Sequence, residues 1–210
     1  WLTAGAGAAQ SSDAPAPTAD TLAAIVYTSG TTGKPKGVML THGNVVANIK
    51  AVLQRFVVTS QDVLLSFLPL SHTFERTVGY YLPIAAGATV VYARSVALLQ
   101  EDLLQVRPTV LVSVPRIYER IHTKVQETMH QQPSWKQGLM KAAERVGWRR
   151  FLASQGRGKV GLLDGLAWQV LQPLVAQKVL GAFGGRLRMA IAGGAPLGDS
   201  VARFYLGLGL

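Results

Sequence analysis

"YTSGTTGKPKG", Tyr27 to Gly37, places four Ser/Thr hydroxyls (Thr28, Ser29, Thr31, Thr32), three glycines and two lysines in eleven residues, directly after the apolar run "LAAIV". Glycine accepts positive φ and lets successive backbone N–H groups turn into one concavity. The hydroxyls add short donors, and Lys34 and Lys36 add positive charge. Together these groups suit a polyphosphate. Thr31 can also meet the Mg²⁺ that accompanies a nucleotide, because that ion keeps several waters and takes few protein ligands. The stretch is not a Walker loop: Pro35 follows Lys34, and no Ser or Thr follows Lys36. Nor does a G-x-G-x-x-G open a helix, so an ordinary P-loop nucleotidase and a dinucleotide fold both lose their main support.

Outward from this loop, strand and helix signals alternate. "LAAIVYT" reads as a buried strand and "GVMLT" as a second one. "THGNVVANIKAVLQRF" reads as a helix capped by Thr41 or Asn44. "DVLLSFLPL" is apolar enough for a central strand stopped by Pro69. Ser71 is placed to cap a helix over "HTFERTVGYYLPIAAG", with Gly79 and Pro83 weakening its far end. "ATVVYA" and "TVLVSVP" read as strands, "VALLQEDLLQV" and "RIYERIHTKVQETM" as helices. Two longer helical stretches follow, a basic one from Ser134 to Ser154 and an apolar one interrupted by Pro173. "LRMAIAGGAPL" then reads as a strand entering a glycine turn, and Gly198 and Asp199 open a last helix. This alternation predicts an α/β fold, a doubly wound, mostly parallel sheet with helices on both faces. Ligands of such sheets lie beyond the carboxyl ends of the strands, where both glycine turns are expected. The Gly/Ala/Ser/Pro stretch from Gly5 to Asp20 reads as a linker, giving residues 1–20 as a flexible tail and 21–210 as folded domain. The chain contains no internal repeat.

The 210 residues are 49% hydrophobic, enough for a substantial core, and include no cysteine, so thiolate chemistry and disulfides are excluded. No apolar run reaches the roughly 20 residues that span a bilayer. The chain begins with Trp1 rather than Met, which reads as a piece of something longer, expected in the cytoplasm with peripheral contact to membrane. Its charge is uneven: residues 1–105 hold 6 Lys+Arg and 6 Asp+Glu, and residues 106–210 hold 15 and 5, so the whole +10 lies in the second half. No zinc-finger spacing, RNA-binding signature or compact basic block accompanies it, and no nucleic-acid partner is expected. The stretch from Trp135 to Phe151 interleaves cations with Trp135, Trp148 and Phe151, a composition that suits an anionic membrane surface as well as a solvated helix face.

"YTSGTTGKPKGVMLTHGN" resembles the phosphate-binding signature of the acyl-adenylate-forming superfamily, the acyl-CoA synthetases, luciferases and peptide-synthetase adenylation domains. "LPLSHTFERT" and "VSVPRIYERI" are similar to the long-chain fatty-acid–CoA ligase branch. "AGGAPL", Ala192 to Leu197, resembles the glycine turn that lines the adenine and acyl pockets. The resemblance runs from about Leu22 to Leu210.

It implies a reaction in two halves. A long-chain fatty carboxylate attacks the α-phosphorus of Mg·ATP to give acyl-adenylate and pyrophosphate, and the thiol of coenzyme A then displaces AMP. It implies that Thr28, Ser29, Gly30, Thr31, Thr32, Gly33, Lys34 and Lys36 hold phosphate, and that Thr31 meets the metal. It places Gly193, Gly194, Ala195 and Pro196 on the nucleotide. Lys36 and His72 are the expected catalytic groups, His72 as donor and gate rather than base, since a carboxylate is already ionised near neutral pH. Which lysine touches phosphate stays open. His42 is read as local structure beside a helix start, and Glu75 and Arg76 as a structural pair. The family's later motifs and small C-terminal domain lie beyond "LGLGL", so residues 21–210 read as a partial adenylation domain. The rival readings are an aryl or amino-acid adenylating domain and a non-catalytic nucleotide- or lipid-binding fragment.

Overall fold

The structure is a computed structural model that describes residues 15–28 and 34–210. The chain falls into two compact units, 1–50 and 51–210, divided within the first helix.

In the first unit, β1 (Leu22–Thr28) and β2 (Lys36–Thr41) pair antiparallel, Tyr27 opposite Gly37 and Thr28 opposite Lys36. The strands on either side of the glycine loop therefore pair antiparallel with each other, and β1 is not a strand of the parallel sheet. Nor is β1 the buried strand its apolar run predicts. Val26 alone in it is buried, while Tyr27 and Met39 are 73% and 69% exposed. Two strands by themselves leave both faces of the ribbon uncovered. Helix α1 (His42–Arg55) opens on a reciprocal capping box that uses both expected residues. Asn44 N donates to Thr41 Oγ1 at 3.2 Å, and Thr41 N donates to Asn44 Oδ1 at 3.0 Å. His42 is the first residue of α1 and its N–H donates to Thr21 O, the local role expected of it.

The second unit holds β3 (Val63–Ser66), β4 (Thr89–Tyr92), β5 (Val110–Ser113) and β6 (Met189–Ala192), all parallel in the order β4-β3-β5-β6. As the sequence predicts, "DVLLSFLPL" supplies an interior strand. Leu64, Leu65, Val110, Leu111 and Val112 are buried, the continuous apolar pattern of a sheet covered on both sides. Helices α2 (Thr73–Glu75), α3 (Leu82–Ala86), α4 (Leu99–Val106), α5 (Pro115–His130), α6 (Ser134–Ser154), α7 (Leu162–Leu171), α8 (Gln177–Leu180) and α9 (Asp199–Gly207) flank it. The α-helical pattern is interrupted at Pro173, as the sequence predicts, but neither Pro83 nor Pro173 ends its helix. Arg76–Tyr81 and Gln172–Ala176 are π-helical turns that carry the helices through to Pro83 and past Pro173, because a widened turn absorbs the missing N–H and the ring.

Side chains tie the strands at their amino ends and from behind. At the amino ends, the buried Asp62 carboxylate accepts from Arg188 Nε at 2.9 Å, Thr109 Oγ1 at 2.7 Å and Thr59 N at 2.8 Å. These bonds, Arg188 above all, hold its carboxyl well below the usual carboxylate range. Behind β5 and β6, the Tyr118 hydroxyl donates to Leu111 O at 3.1 Å, and the Tyr205 hydroxyl donates to Tyr118 O at 2.9 Å. Helices α6 and α9 cross where Gly147 and Gly207 meet: a methyl group on Gly147 would overlap the carbonyl of Gly207. The basic stretch on α6 is only in part the exposed aromatic face its composition suggests: Trp135 is exposed, with Lys136 over its ring. Trp148 and Phe151 stack on each other, centroids 5.3 Å apart, and are half-buried. Arg149 pairs with Asp164, and Arg150 lies over Trp168.

Candidate active site

The strand order reverses beside β3: the chain goes from β3 to β4 on one side, then returns across β3 to β5 and β6. Such a reversal opens a crevice at the carboxyl ends, here at Ser66, Ser113 and Ala192. The sheet delivers "SHTFER" and "AGGAPL" to this edge together. Gly193 N donates to Ser113 O at 3.1 Å. A side chain on Gly193 would overlap the Phe74 ring, and Gly194 has φ +82°, so the turn needs glycine at both places. Gly194, Ala195 and Pro196 are exposed.

His72, not Ser71, caps the helix. Its Nδ1 accepts from Phe74 N at 3.2 Å, because its extended backbone (φ −84°, ψ 131°) aims the ring at the first free N–H. With Nδ1 an acceptor, the neutral ring carries its proton on Nε2. The ring is exposed and so can present that proton to a ligand.

Glu75 and Arg76 do not pair. Arg76 Nε donates to Leu70 O at 2.9 Å, whereas Glu75 turns inward, 1% exposed, and Oε1 accepts from Ser66 Oγ at 2.7 Å. Gly79 makes the slot, since a side chain there would overlap the carboxyl group. Glu75 Oε2 is buried with no partner among the described residues. Burial pushes the Glu75 carboxyl up, against the opposing pull of the Ser66 hydroxyl. Because the folded state favours the protonated form, the stability this group contributes is full below its ordinary value of 4.5 and declines as pH rises through the raised value. Glu75→Gln, which keeps the acceptor for Ser66, is expected to raise the melting temperature at pH 8 and to lose that advantage near pH 4.5. Identical pH profiles of melting temperature for the two proteins would contradict a protonated Glu75. The sequence carried a signal for this slot, a glycine one turn after an acid inside a helix, but its reading as a helix-weakening residue hid it.

Of the phosphate-loop residues, Ser29, Gly30, Thr31, Thr32 and Gly33 lie outside the described residues. The flanks are clear: Thr28 and Lys36 face each other across the hairpin, Thr28 Oγ1 reaches Lys36 O at 3.5 Å, and Thr28, Lys34 and Lys36 are exposed. A hairpin pinned at its base thus offers a hydroxyl and two ammonium groups to solvent, a donor set that fits phosphate oxygens. Thr31, the expected metal contact, is among the undescribed residues, and the described ones gather no cluster of three His, Cys, Asp or Glu side chains.

A sequence model described as "AMP-binding enzyme" matches residues 2–209. The chain belongs to the AMP-binding enzyme family. Among curated relatives, long-chain-fatty-acid–CoA ligase 5 of Mus musculus is 37% identical over 90% of this chain and 27% of its own length. The peroxisomal long chain acyl-CoA synthetase 6 of Arabidopsis thaliana is 37% identical over 90% and 25%. Long-chain-fatty-acid–CoA ligase FadD15 of Mycobacterium tuberculosis is 35% identical over 90% and 31%. The chain thus spans about a quarter to a third of these family members. Among solved structures, ATP-bound MatB from Rhodopseudomonas palustris aligns with TM-score 0.58 and 26% identity over 97% of this chain and 30% of that one. The adenylation domain of a Mycobacterium chelonae carboxylate reductase aligns with TM-score 0.54 and 27% identity over 90% and 25%. The parallel sheet flanked by helices is the family's fold.

Proposed function

We propose that this chain is the phosphate-loop and acyl-pocket portion of an AMP-forming long-chain fatty-acid–CoA ligase, residues 21–210 being part of its adenylation domain and 1–20 a linker. The observation that carries this reading is identity of 34–37% to long-chain ligases over most of the chain. The first half-reaction gathers negative charge at a phosphorus already crowded with it, so its catalysis comes from placed donors and cations. Lys34 and Lys36 neutralise phosphate oxygens, and Thr28 through Gly33 supply hydroxyl and backbone donors. Thr31 is the residue that would hold Mg²⁺, which supplies further charge neutralisation when bound. His72 donates from Nε2 to the incoming carboxylate or the α-phosphate and gates the acyl pocket. Gly193, Gly194, Ala195 and Pro196 wall the nucleotide and acyl chain. Coenzyme A takes the acyl group in the second half-reaction.

The test is pyrophosphate release by the full-length protein with ATP and laurate, palmitate, benzoate or amino acids. Release with palmitate and coenzyme A-dependent formation of AMP support the reading. Release with benzoate or an amino acid alone transfers it to another adenylating class, and no release with any acid leaves a binding module.

Peripheral contact with anionic membrane belongs to the same proposal. No helix among the described residues is long and apolar enough to cross a bilayer. Leu162, Leu163 and Leu166 on α7 are 91%, 81% and 61% exposed, directly after Arg157 and Lys159 in the chain. Apolar side chains beside cations suit an interface, each cation near an anionic surface contributing about 1 kcal/mol. Flotation with anionic vesicles is expected to carry the folded protein, and raised salt or Leu162→Ser with Leu163→Ser to reduce it. Protein that stays soluble at low salt contradicts the contact.

A further inference from the structure

On the second unit, α4, α5 and α8 bound an open cavity of about 520 Å³. Leu99 and Leu103 of α4, Ile121 and Val125 of α5, and Val179 of α8 form an apolar wall. Arg120 and Lys124, one turn apart on α5, and Lys178 on α8 bring three cations to it, and no acidic residue lines it. Lys124 Nζ donates to Gln100 Oε1 at 3.2 Å, which tethers that ammonium toward α4. None of the three cations enters an ion pair among the described residues.

The volume is that of a small-molecule site, and the chemistry has two parts. A neutral apolar occupant would leave three cations without a counter-charge, and a small polyanion would leave the half-buried Ile117, Ile121, Val125 and Val179 facing water. A single acyl chain with an anionic head satisfies both. We propose that this groove is a second lipid site, binding a long-chain carboxylate with its chain against α4 and α5 and its head among Arg120, Lys124 and Lys178. It is separate from the crevice at Ser66, Ser113 and Ala192, and it does not depend on the adenylation reading.

The test is photolabelling of the full-length protein, and of this chain, with palmitate carrying a mid-chain diazirine, followed by peptide mapping. Label is expected on residues 96–129 and 178–182 and should be displaced by palmitate but not by hexadecanol. Ala97→Trp and Thr128→Trp, which fill the groove from its exposed wall, are expected to cut the label about tenfold. Arg120→Gln with Lys178→Gln should weaken palmitate about 3- to 10-fold, as two lost charge contacts do. If a tryptophan variant loses its thermal transition, the paired glutamine variant decides. Label confined to peptides carrying Phe74 or Gly193, or displacement by hexadecanol as good as by palmitate, overturns the site. Groove labelling without pyrophosphate release keeps this site and removes the adenylation reading; release without groove labelling does the reverse.

Discussion

Lys36→Ala in the full-length protein is expected to lower palmitate-dependent pyrophosphate release by about 100-fold, with the melting temperature almost unchanged. Lys36 is exposed at the base of the hairpin, and its backbone, not its side chain, holds the register with Thr28. Removing the ammonium therefore leaves the ribbon intact while taking a placed charge from the phosphates, a loss on the order of 10²–10³ in rate. Lys34→Ala, on the same loop but outside the strand, separates the two lysines. If Lys34 is the principal phosphate contact, it carries the larger loss. Release within twofold of wild type from both variants would remove the loop from the reaction.

Gly147→Ala is expected to destabilise the second unit by about 3 kcal/mol, the upper end of the overpacking range, and to lower its melting temperature by roughly 6–12 °C. The added methyl group would overlap the Gly207 carbonyl and press on Trp168. Both are backbone or buried ring, so neither can turn aside. Gly138 lies on the same helix and serves as the control, because nothing stands within 4 Å of the methyl group it would gain. Gly138→Ala should leave stability unchanged or raise it by about 0.5–1 kcal/mol through helix propensity alone. Equal melting temperatures for the two variants would mean that α6 and α9 do not cross on these glycines.

The contrast between Gly138 and Gly147 shows what the sequence displays and what it hides. Local periodicity is visible, so α6 falls at Ser134–Ser154 as read, and the four parallel strands and the carboxyl-edge turn at Gly193 are also legible. Both glycines look alike in the sequence, however, and only the arrival of α9 distinguishes them. The same limit applies at the site. Glu75 reads as the partner of Arg76 until Gly79 is seen to leave room for it inside, and which nitrogen of His72 is left for a ligand is hidden until Phe74 N is seen to use Nδ1. Hairpin or crossover at the glycine loop was equally hidden: the apolar run of β1 fits a buried parallel strand as well as an exposed ribbon, and pairing partners decide.

The register of β5 with β6 has a consequence in time. Val110 to Ser113 pair with Met189 to Ala192, so residues 114–188 must be synthesised before this pairing can begin. At about 5–20 residues per second that interval is on the order of ten seconds. Throughout it, the nascent chain shows one side of an apolar four-residue strand, "VLVS", with its N–H and C=O groups unpaired. An open strand edge of this kind invites pairing with another chain. The long helical excursion between the two strands thus sets how long this edge stays open on the ribosome, and slower translation of residues 114–188 prolongs it.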